Sequence, residues 1–348
     1  MNMKNIYIIL TTLLGAMIAL ASCQREDVPH NETTEEIGAP ISFSTINASF
    51  DTKGDDGETS EEGSETGTTT PEISSFHVWA SRTYGETANS TTDNSIFSGN
   101  EVRYDNGVWK YSPVRYWQTG TYNFAAVSPL SISENISLSG TIDNEELSLS
   151  FGTENSNWNL ASVPTDLLIA EAAGVTGRVN STSPQSVSLT FTHLLSQIYF
   201  EAKNADANGT PIEVTKVEIS GHHKVASELT YNMLAENSKV SWEYTDDGSA
   251  SQDISLNTAK TLSGSYQPVT SDVMVFSQEC DLVVKVTIKE KENATSTIEK
   301  LGIINDASWT PGIRYKYNIS ISPDKIIFDQ VSVQPWATGE VADDPIIM

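Results

Sequence analysis

The sequence is short of basic residues. Its 348 residues include 20 Lys and Arg against 46 Asp and Glu, which gives a formal net charge of −26, although only 19% of the residues are charged. A body this acidic repels nucleic acids and anionic lipid surfaces, because both carry dense negative charge. The composition therefore excludes nucleic acid and anionic membranes as partners that are held by a general electrostatic field.

Hydrophobic residues are also scarce. They make up 38% of the chain, where about 45% is ordinary for a globular protein if glycine is counted. Ser, Thr, Asn and Gly fill the deficit, and the first three compete for backbone hydrogen bonds in helices. This composition disfavours long helices and favours short strands joined by polar turns. The length fits about two domains, each large enough to bury its own core.

Only two cysteines occur, Cys23 and Cys280. The first follows Lys4 and an uncharged apolar run from Ile6 to Ala21, the pattern of a secretory signal peptide. The run ends in Leu-Ala-Ser-Cys, which resembles a bacterial lipobox, so we expect diacylglycerol on the thiol of Cys23. The alternative is a simple cleaved signal that happens to contain a cysteine. With Cys23 lipidated, Cys280 has no partner for a disulfide, and its apolar neighbours predict a small buried side chain.

The residues after Cys23 indicate a destination. The sequence Gln24-Arg25-Glu26-Asp27 resembles a short acidic signal that sends lipoproteins to the outer face of the outer membrane. We therefore expect a surface-exposed outer-membrane lipoprotein. Residues 1–22 form the predicted signal peptide. Residues 23–40 form a predicted lipidated, flexible tether, because they are too poor in apolar residues to fold alone.

The exported body shows the alternation of short β-strands. The first candidate runs from Ile41 to Phe50, where the apolar residues change phase after Phe43, so we expect a bulge or a bend. An acidic low-complexity loop, residues 51–72, follows this strand. Later runs alternate without a fault, as from Leu282 to Ile288 and from Ile313 to Ile321.

Clusters of Gly, Pro, Asn and Asp separate these runs, a pattern that is typical of β-sandwiches. A polar stretch from Asn180 to Pro184 predicts a domain boundary. We expect an all-β chain with an N-terminal β-sandwich over residues 41–182 and a C-terminal β-sandwich over residues 183–348. No strong helical period is present, although His193 to Glu201 has room for one or two helical turns.

The sequence also lacks the motifs of common active sites. It has no G-x-S-x-G elbow, no H-E-x-x-H, no Walker loop and no G-x-G-x-x-G fingerprint. The close pair His222-His223 is expected in a solvent-facing turn, because adjacent strand residues point to opposite faces and cannot chelate one ion. His193, among apolar neighbours, is expected to be a core or hinge residue. We predict no catalytic residue, cofactor or metal site; a glycosidase-like carboxylate pair stays open, although no pair stands out.

Tryptophans offer a different function. If Trp79, Trp109, Trp117 and Trp158 were exposed together, they would form an aromatic platform for sugar rings, as in a surface glycan-binding lipoprotein. Large aromatic side chains are more often buried, so packing in the core is the favoured interpretation. Binding of a host glycan or protein stays open as the alternative function.

Four segments in order resemble one family. They are Tyr122 to Pro129 (YNFAAVSP), Thr165 to Ala170 (TDLLIA), Leu189 to Ile198 (LTFTHLLSQI) and Trp309 to Tyr317 (WTPGIRYKY). Following a lipobox, they resemble the fimbrillin-like lipoproteins over nearly the whole exported chain. The resemblance implies two tandem transthyretin-like Greek-key β-sandwiches, export as a lipoprotein and assembly into type V pili.

The resemblance further implies a maturation step. A trypsin-like protease cuts after a basic residue behind the first strand, that strand leaves, and a strand of a neighbouring subunit fills its groove. Here the strand would be Ile41 to Phe50 and the basic residue Lys53, the only Lys or Arg between Arg25 and Arg82. Many relatives carry Arg at this point, so a strictly Arg-specific protease would not cut. Lys53 is otherwise an ordinary loop lysine of an uncleaved anchor or accessory subunit.

The candidate donor strand is residues 325–336, which we call the C-terminal segment. Pro335 would end its pairing. Its candidate donor side chains are Ile327, Phe328, Val331, Val333 and Trp336. The expected partners are other pilus subunits, a trypsin-like maturation protease and the outer membrane, reached through the lipid on Cys23. After maturation, the expected location is the fimbrium.

Overall fold

The computed structural model describes residues 38–48, 73–152, 157–161, 165–177, 179, 186–206, 210–236, 238–290, 296–329 and 331–336. All of them lie in one unit that spans Glu36–Met348. This part of the chain consists of strands and turns without an α-helix, so the all-β prediction is confirmed. It therefore also holds no helix of the length and apolar character that a membrane crossing requires.

The described residues form twenty-three β-strands. The first nine are β1 (Ser42–Ala48), β2 (Ser75–Tyr84), β3 (Thr91–Asp105), β4 (Val108–Tyr111), β5 (Thr121–Ser128), β6 (Leu138–Asp143), β7 (Glu146–Phe151), β8 (Trp158–Asn159) and β9 (Leu168–Thr176). The next seven are β10 (Ser186–His193), β11 (Leu195–Asn204), β12 (Ile212–Ser220), β13 (Val225–Asn232), β14 (Val240–Tyr244), β15 (Gln252–Asp253) and β16 (Lys260–Thr261). The last seven are β17 (Gln267–Pro268), β18 (Val273–Phe276), β19 (Glu279–Glu290), β20 (Thr297–Ser308), β21 (Ile313–Ile321), β22 (Ile326–Phe328) and β23 (Ser332–Pro335).

A seven-stranded sheet contains the first strand. Its order is β1-β10-β9-β5-β2-β3-β4, with β1 at one edge and parallel to β10. The apolar residues of β10 alternate, and Val187, Leu189 and Phe191 are buried on one face, as the sequence pattern predicts. The hairpin between β3 and β4 turns at Asn106 and Gly107, both with positive φ, which an Asn-Gly pair adopts readily.

Three further sheets complete the described fold. One has the order β14-β13-β7-β6, with β8 also on β13. Another is β17-β11-β21-β22, with β18 on β11 and β23 on β21, and the third is β15-β12-β19-β20, with β16 on β12. The alternating residues of β19 and β21 meet in one core, which confirms the two faultless alternations. They are Leu282, Val284, Val286, Ile288, Tyr315, Tyr317, Ile319 and Ile321.

The helical turns considered for His193 to Glu201 are wrong. β10 ends at His193 and β11 begins at Leu195, so both segments are extended. Along β11, Ile198, Phe200 and Ala202 are buried with a period of two, which a strand satisfies and a helix does not. The apolar residues at its start belong to two different cores, because Leu195 packs in the core of Trp158 and Ile198 in the core of Tyr317.

Strand pairing joins the two sides of the predicted boundary. β10, which begins at Ser186, lies in the seven-stranded sheet, and β13 pairs with β7. Trp158, Trp242 and Phe276 also share one core. The division at residues 182 and 183 stays a prediction, as does the finer assignment to transthyretin-like Greek-key sandwiches.

Candidate functional site

The first strand has a bulge where the sequence predicts one. On β1, Ser44 lies opposite Ser188 and Ile46 lies opposite Leu189, so one residue of β1 is extra. The prediction of a bulge or bend in this strand is therefore confirmed. Ile41 and Phe43, before the bulge, share the inward face and are buried.

Phe43 fills an aromatic pocket. Its ring centroid lies 5.6 Å from that of Phe76, 6.0 Å from Phe97, 5.8 Å from Tyr111 and 6.4 Å from Phe124. All four contacts are edge-to-face, an arrangement that adds to the free energy gained by burying the ring. We call this pocket, together with the exposed edge that β10 would present without β1, the β1 groove.

Backbone hydrogen bonds hold the entry to β1. The amide of Ile41 donates to the carbonyl of Arg115 at 2.8 Å, and the amide of Gly38 donates to the carbonyl of Trp117 at 2.7 Å. The hydroxyl of Tyr111 donates to the carbonyl of Ile41 at 2.6 Å. Burial raises the pKa of Tyr111, so this hydroxyl keeps its proton and remains a donor.

Strand β10 depends on β1 for most of its pairing. Within the described strands, Ser186–Phe191 are in register with β1 alone, and β9 pairs only with Thr192 and His193. Removal of β1 would therefore leave six residues of β10 without a strand partner on either side. It would also expose the inward apolar face of β10, so the groove is a strong template for another strand.

Two predicted site residues lie outside the described residues. Cys23, the expected lipid acceptor, precedes residue 38, and Lys53, the expected cleavage point, falls between residues 48 and 73. Both stay predictions. Cys280, by contrast, is partly buried against the C-terminal core, and burial raises the pKa of its thiol to about 11.

The C-terminal segment lies along the outer edge of β21. Residues of β22 pair antiparallel with Ile319–Ile321, and residues of β23 pair antiparallel with Ile313–Lys316. The candidate donor residues Phe328, Val331 and Val333 are partly buried against the core that β11, β12, β19 and β21 form. Ile327 points outward and is 42% exposed. On its own chain the segment is thus an edge strand with one apolar face.

Polar groups secure the break between β22 and β23. The carboxylate of Asp329 accepts hydrogen bonds from the hydroxyls of Ser320, at 2.6 Å, and Tyr266. Burial opposes ionisation of Asp329, but these hydrogen bonds outweigh it and the pKa of the carboxyl is lowered. The amide of Asp329 also donates to the carbonyl of Asn318 at 2.8 Å.

The last candidate donor residue, Trp336, stacks on His193. The two ring centroids lie 4.3 Å apart with an interplanar angle of 12°. His193 is buried, and its Nδ1 lies 2.6 Å from a carboxylate oxygen of Asp166. The expectation that His193 is a core residue is confirmed.

Three of the four platform tryptophans are in the core. Trp79, Trp117 and Trp158 are buried, which confirms the packing interpretation for them. Trp109 is partly buried and lies against Phe76 and Tyr104, with ring centroids 5.1 Å apart in each pair. The four rings therefore do not form one exposed surface.

The solvent-facing turn predicted for the histidine pair is wrong for His222. Its side chain is 1% exposed and packs against Trp309, and its Nε2 lies 3.2 Å from Oε1 of Gln252. Distant segments of the chain therefore cover the turn between β12 and β13. His223 is half-buried and stacks on Tyr244 at 4.3 Å. In the part of the chain that the structure describes, no group of three His, Cys, Asp or Glu is placed to hold a metal ion.

Comparison with known proteins identifies the family. The model of the fimbrillin-like family matches residues 65–336, most of the chain. The chain belongs to the fimbrillin-like family. The match extends from the acidic loop to Trp336, so it includes the aromatic pocket and the C-terminal segment and leaves out β1. No curated protein sequence matches the chain.

A solved structure shares the fold of this fimbrillin-like chain. A fimbrial protein from Bacteroides vulgatus is 18% identical, with 75% of this chain and 93% of that chain covered and a TM-score of 0.54. The tip fimbrial protein Mfa3 from Porphyromonas gingivalis is 11% identical, with 76% and 95% covered and a TM-score of 0.36. The first of these likenesses confirms the all-β architecture.

Proposed function

We propose that this chain is a non-catalytic subunit or accessory protein of a type V pilus, exported as a lipoprotein and assembled by strand exchange. A protease cuts after Lys53, β1 leaves, and a strand of a neighbouring subunit fills the β1 groove. The observation that carries the proposal is the position of β1. It is an edge strand, the partner of Ser186–Phe191 within the described sheets, and the ring of its Phe43 occupies an aromatic pocket.

Family membership supports a pilus-related protein of the cell surface with a structural role. In the proposal, Cys23 carries the lipid that holds the precursor at the outer membrane. Cleavage after Lys53 separates this lipid from the folded body, because Cys23 and β1 both precede the cut. Release from the membrane and opening of the groove are then one event.

An open groove is a high-energy surface. It presents the apolar face of β10 and the pocket around Phe76 to water, and burial of apolar surface is worth roughly 25 cal/mol per Å². Unpaired amide and carbonyl groups along β10 add to this free energy. A donor strand restores both the ladder and the core, which is the driving force that the proposal gives to assembly.

The C-terminal segment is the proposed donor. It occupies the edge of its own sheet, so its departure uncovers β21 and leaves the pairing of β21 with β11 intact. Its pairing is also interrupted between Phe328 and Ser332. Both features lower the free energy needed to release it, compared with a central strand.

Limited proteolysis tests the proposal. The chain without its signal peptide is treated with trypsin and followed by intact mass and size-exclusion chromatography. We expect a product that begins at Gly54 and polymerises. Lys53→Ala should stay monomeric, whereas Lys291→Ala, which removes another basic residue between two strands, should polymerise as the wild type does.

Two results contradict the proposal in different ways. Polymer from Lys53→Ala at the wild-type rate removes Lys53 from the pathway. A wild-type product that begins at Gly54, stays monomeric and binds a polysaccharide supports the glycan-binding alternative instead, with Trp109 as the residue to substitute next.

A further inference from the structure

The C-terminal segment repeats the spacing of apolar residues in β1. Both sequences have an aliphatic residue, an aromatic residue two positions on, two polar residues, and then two aliphatic residues spaced two apart. In β1 and the residue before it these are Ile41, Phe43, Ile46 and Ala48. In the C-terminal segment they are Ile326, Phe328, Val331 and Val333. A single offset, 326 − 41 = 285, relates all four pairs.

β1 and the C-terminal segment also share one irregularity, an extra residue relative to the strand that each pairs with. β1 advances by two residues, from Ser44 to Ile46, while its partner β10 advances by one, from Ser188 to Leu189. The extra residue of β1 therefore lies just after its aromatic residue. A bulge of this kind shifts the alternation of a strand by one residue at that point.

The C-terminal segment has its extra residue at the matching place. The segment advances by four residues, from Phe328 to Ser332, while its partner β21 covers only three, from Ile319 to Lys316. The shift again follows the aromatic residue. β1 and the C-terminal segment, which lie in different sheets, thus share an order of apolar residues and one extra residue at the matching place.

We propose that residues 326–335 of one copy enter the β1 groove of another copy in the register and direction of β1. This inference rests on the proposed strand exchange and goes beyond it by assigning each side chain. Phe328 takes the place of Phe43, and the strand runs parallel to β10. The hydroxyl of Tyr111 then donates to the carbonyl of Ile326, as it does to that of Ile41 on its own chain.

Other registers place the side chains badly. A slip of one residue turns every apolar side chain away from the groove. An antiparallel strand presents its apolar residues in reverse order, so Val331 instead of Phe328 meets the pocket that Phe43 fills, and Phe328 falls in the place of Ile46. Phe328 is the donor residue whose ring matches the pocket formed by Phe76, Phe97 and Phe124.

Disulfide trapping tests the register. The hydroxyls of Ser42 and Ser186 lie 3.1 Å apart, so cysteines at these two positions are within reach of a disulfide. In the proposed register Ile327 takes the place of Ser42. A copy with Ser186→Cys should therefore link to a copy with Ile327→Cys, both in a Cys280→Ala background, after cleavage and with oxidised glutathione present.

The matched control moves one cysteine by two residues from the tested place. Asp329 would lie opposite Ser186 only if the strand were reversed about Phe328 or slipped by two residues. The control therefore carries Asp329→Cys in place of Ile327→Cys, with all else equal. Each pair is scored by non-reducing electrophoresis of the polymer. We expect the pair of Ser186 and Ile327 to link most chains and the control pair to link at least tenfold fewer.

The possible failures are distinguishable. A polymer that links through the control pair, or through neither pair, overturns the register and leaves strand exchange standing. A cleaved chain that does not polymerise contradicts strand exchange, and a synthetic peptide of residues 325–336 with cysteine in place of Ile327 then decides the register. Linkage of this peptide to Ser186→Cys supports the register, and absence of linkage overturns it.

Discussion

The ring of Phe328 lies directly against Gly302, so closely that a Cβ atom on Gly302 would overlap it. The contact joins β22, at the edge of one sheet, to β20 in another. A glycine at this point lets the aromatic ring cover the backbone of β20. The state of this contact therefore reports whether the C-terminal segment is docked on its own chain.

Replacement of Gly302 should loosen the C-terminal segment. In Gly302→Ala the new methyl group displaces Phe328, and overpacking of this kind costs about 1–3 kcal/mol. Amide exchange of residues 325–336, measured by mass spectrometry, should become faster. Leu301→Ala, a change at the exposed neighbour of Gly302, is the control and should keep the wild-type rate. Equal protection in Gly302→Ala and the wild type would contradict the docking role.

Phe43 should stabilise the uncleaved precursor. Phe43→Ala empties the aromatic pocket and should lower the free energy of unfolding by about 3–5 kcal/mol, as other buried Phe-to-Ala changes do. Urea titration of the uncleaved chain measures this loss, and Ser42→Ala on the outer face is the matched control. A loss below about 1 kcal/mol would show that the pocket closes without its first occupant.

His222 should make stability fall in mild acid. Burial lowers its pKa from 6.5 to about 4, so the unfolded chain binds the proton first as the pH falls. The neutral side chain makes its full contribution to the free energy of unfolding above pH 6.5. Between pH 6.5 and pH 4 this contribution falls by about 1.4 kcal/mol per pH unit, so the loss is about 3 kcal/mol near pH 4. Urea titrations at pH 7 and pH 4 measure it. His222→Gln should flatten this dependence, and an unchanged slope would exclude His222 as its source.

Cys280 should react slowly in the folded chain. Burial raises its pKa from 9.0 to about 11, which lowers the thiolate fraction at pH 8 about 100-fold. Alkylation by iodoacetamide, followed by intact mass on the chain that lacks Cys23, should be slow without urea and fast in urea. Equal rates in both conditions would contradict burial of this thiol.

The sequence predicts local pattern better than long-range packing. Alternation along β10, β19 and β21 is a local property, because each side chain's face follows from its position in the strand. Burial of His222 is not local, since Gln252 and Trp309 come from distant segments of the chain. The helical turns considered for His193 to Glu201 are wrong for a similar reason, since only the fold shows that Leu195 and Ile198 pack in different cores.

The groove itself shows the same limit. The sequence indicates that Ile41 to Phe50 is a strand with a bulge, and the structure adds its partner β10, which begins at Ser186, 144 positions after Ser42. Loop closure over such a distance leaves no local signal. The match between β1 and the C-terminal segment is present in the sequence. Its meaning depends on knowing that both segments lie at sheet edges and have one extra residue relative to the strand that each pairs with.

Amide exchange in β10 tests most directly whether β1 is a replaceable strand. Residues Ser186–Phe191, which pair with β1 in the described structure, should be protected in the precursor, exposed in the cleaved monomer and protected again in the polymer. His193, beyond the reach of β1, should change least. Protection that stays the same in all three states would contradict strand replacement as the basis of assembly.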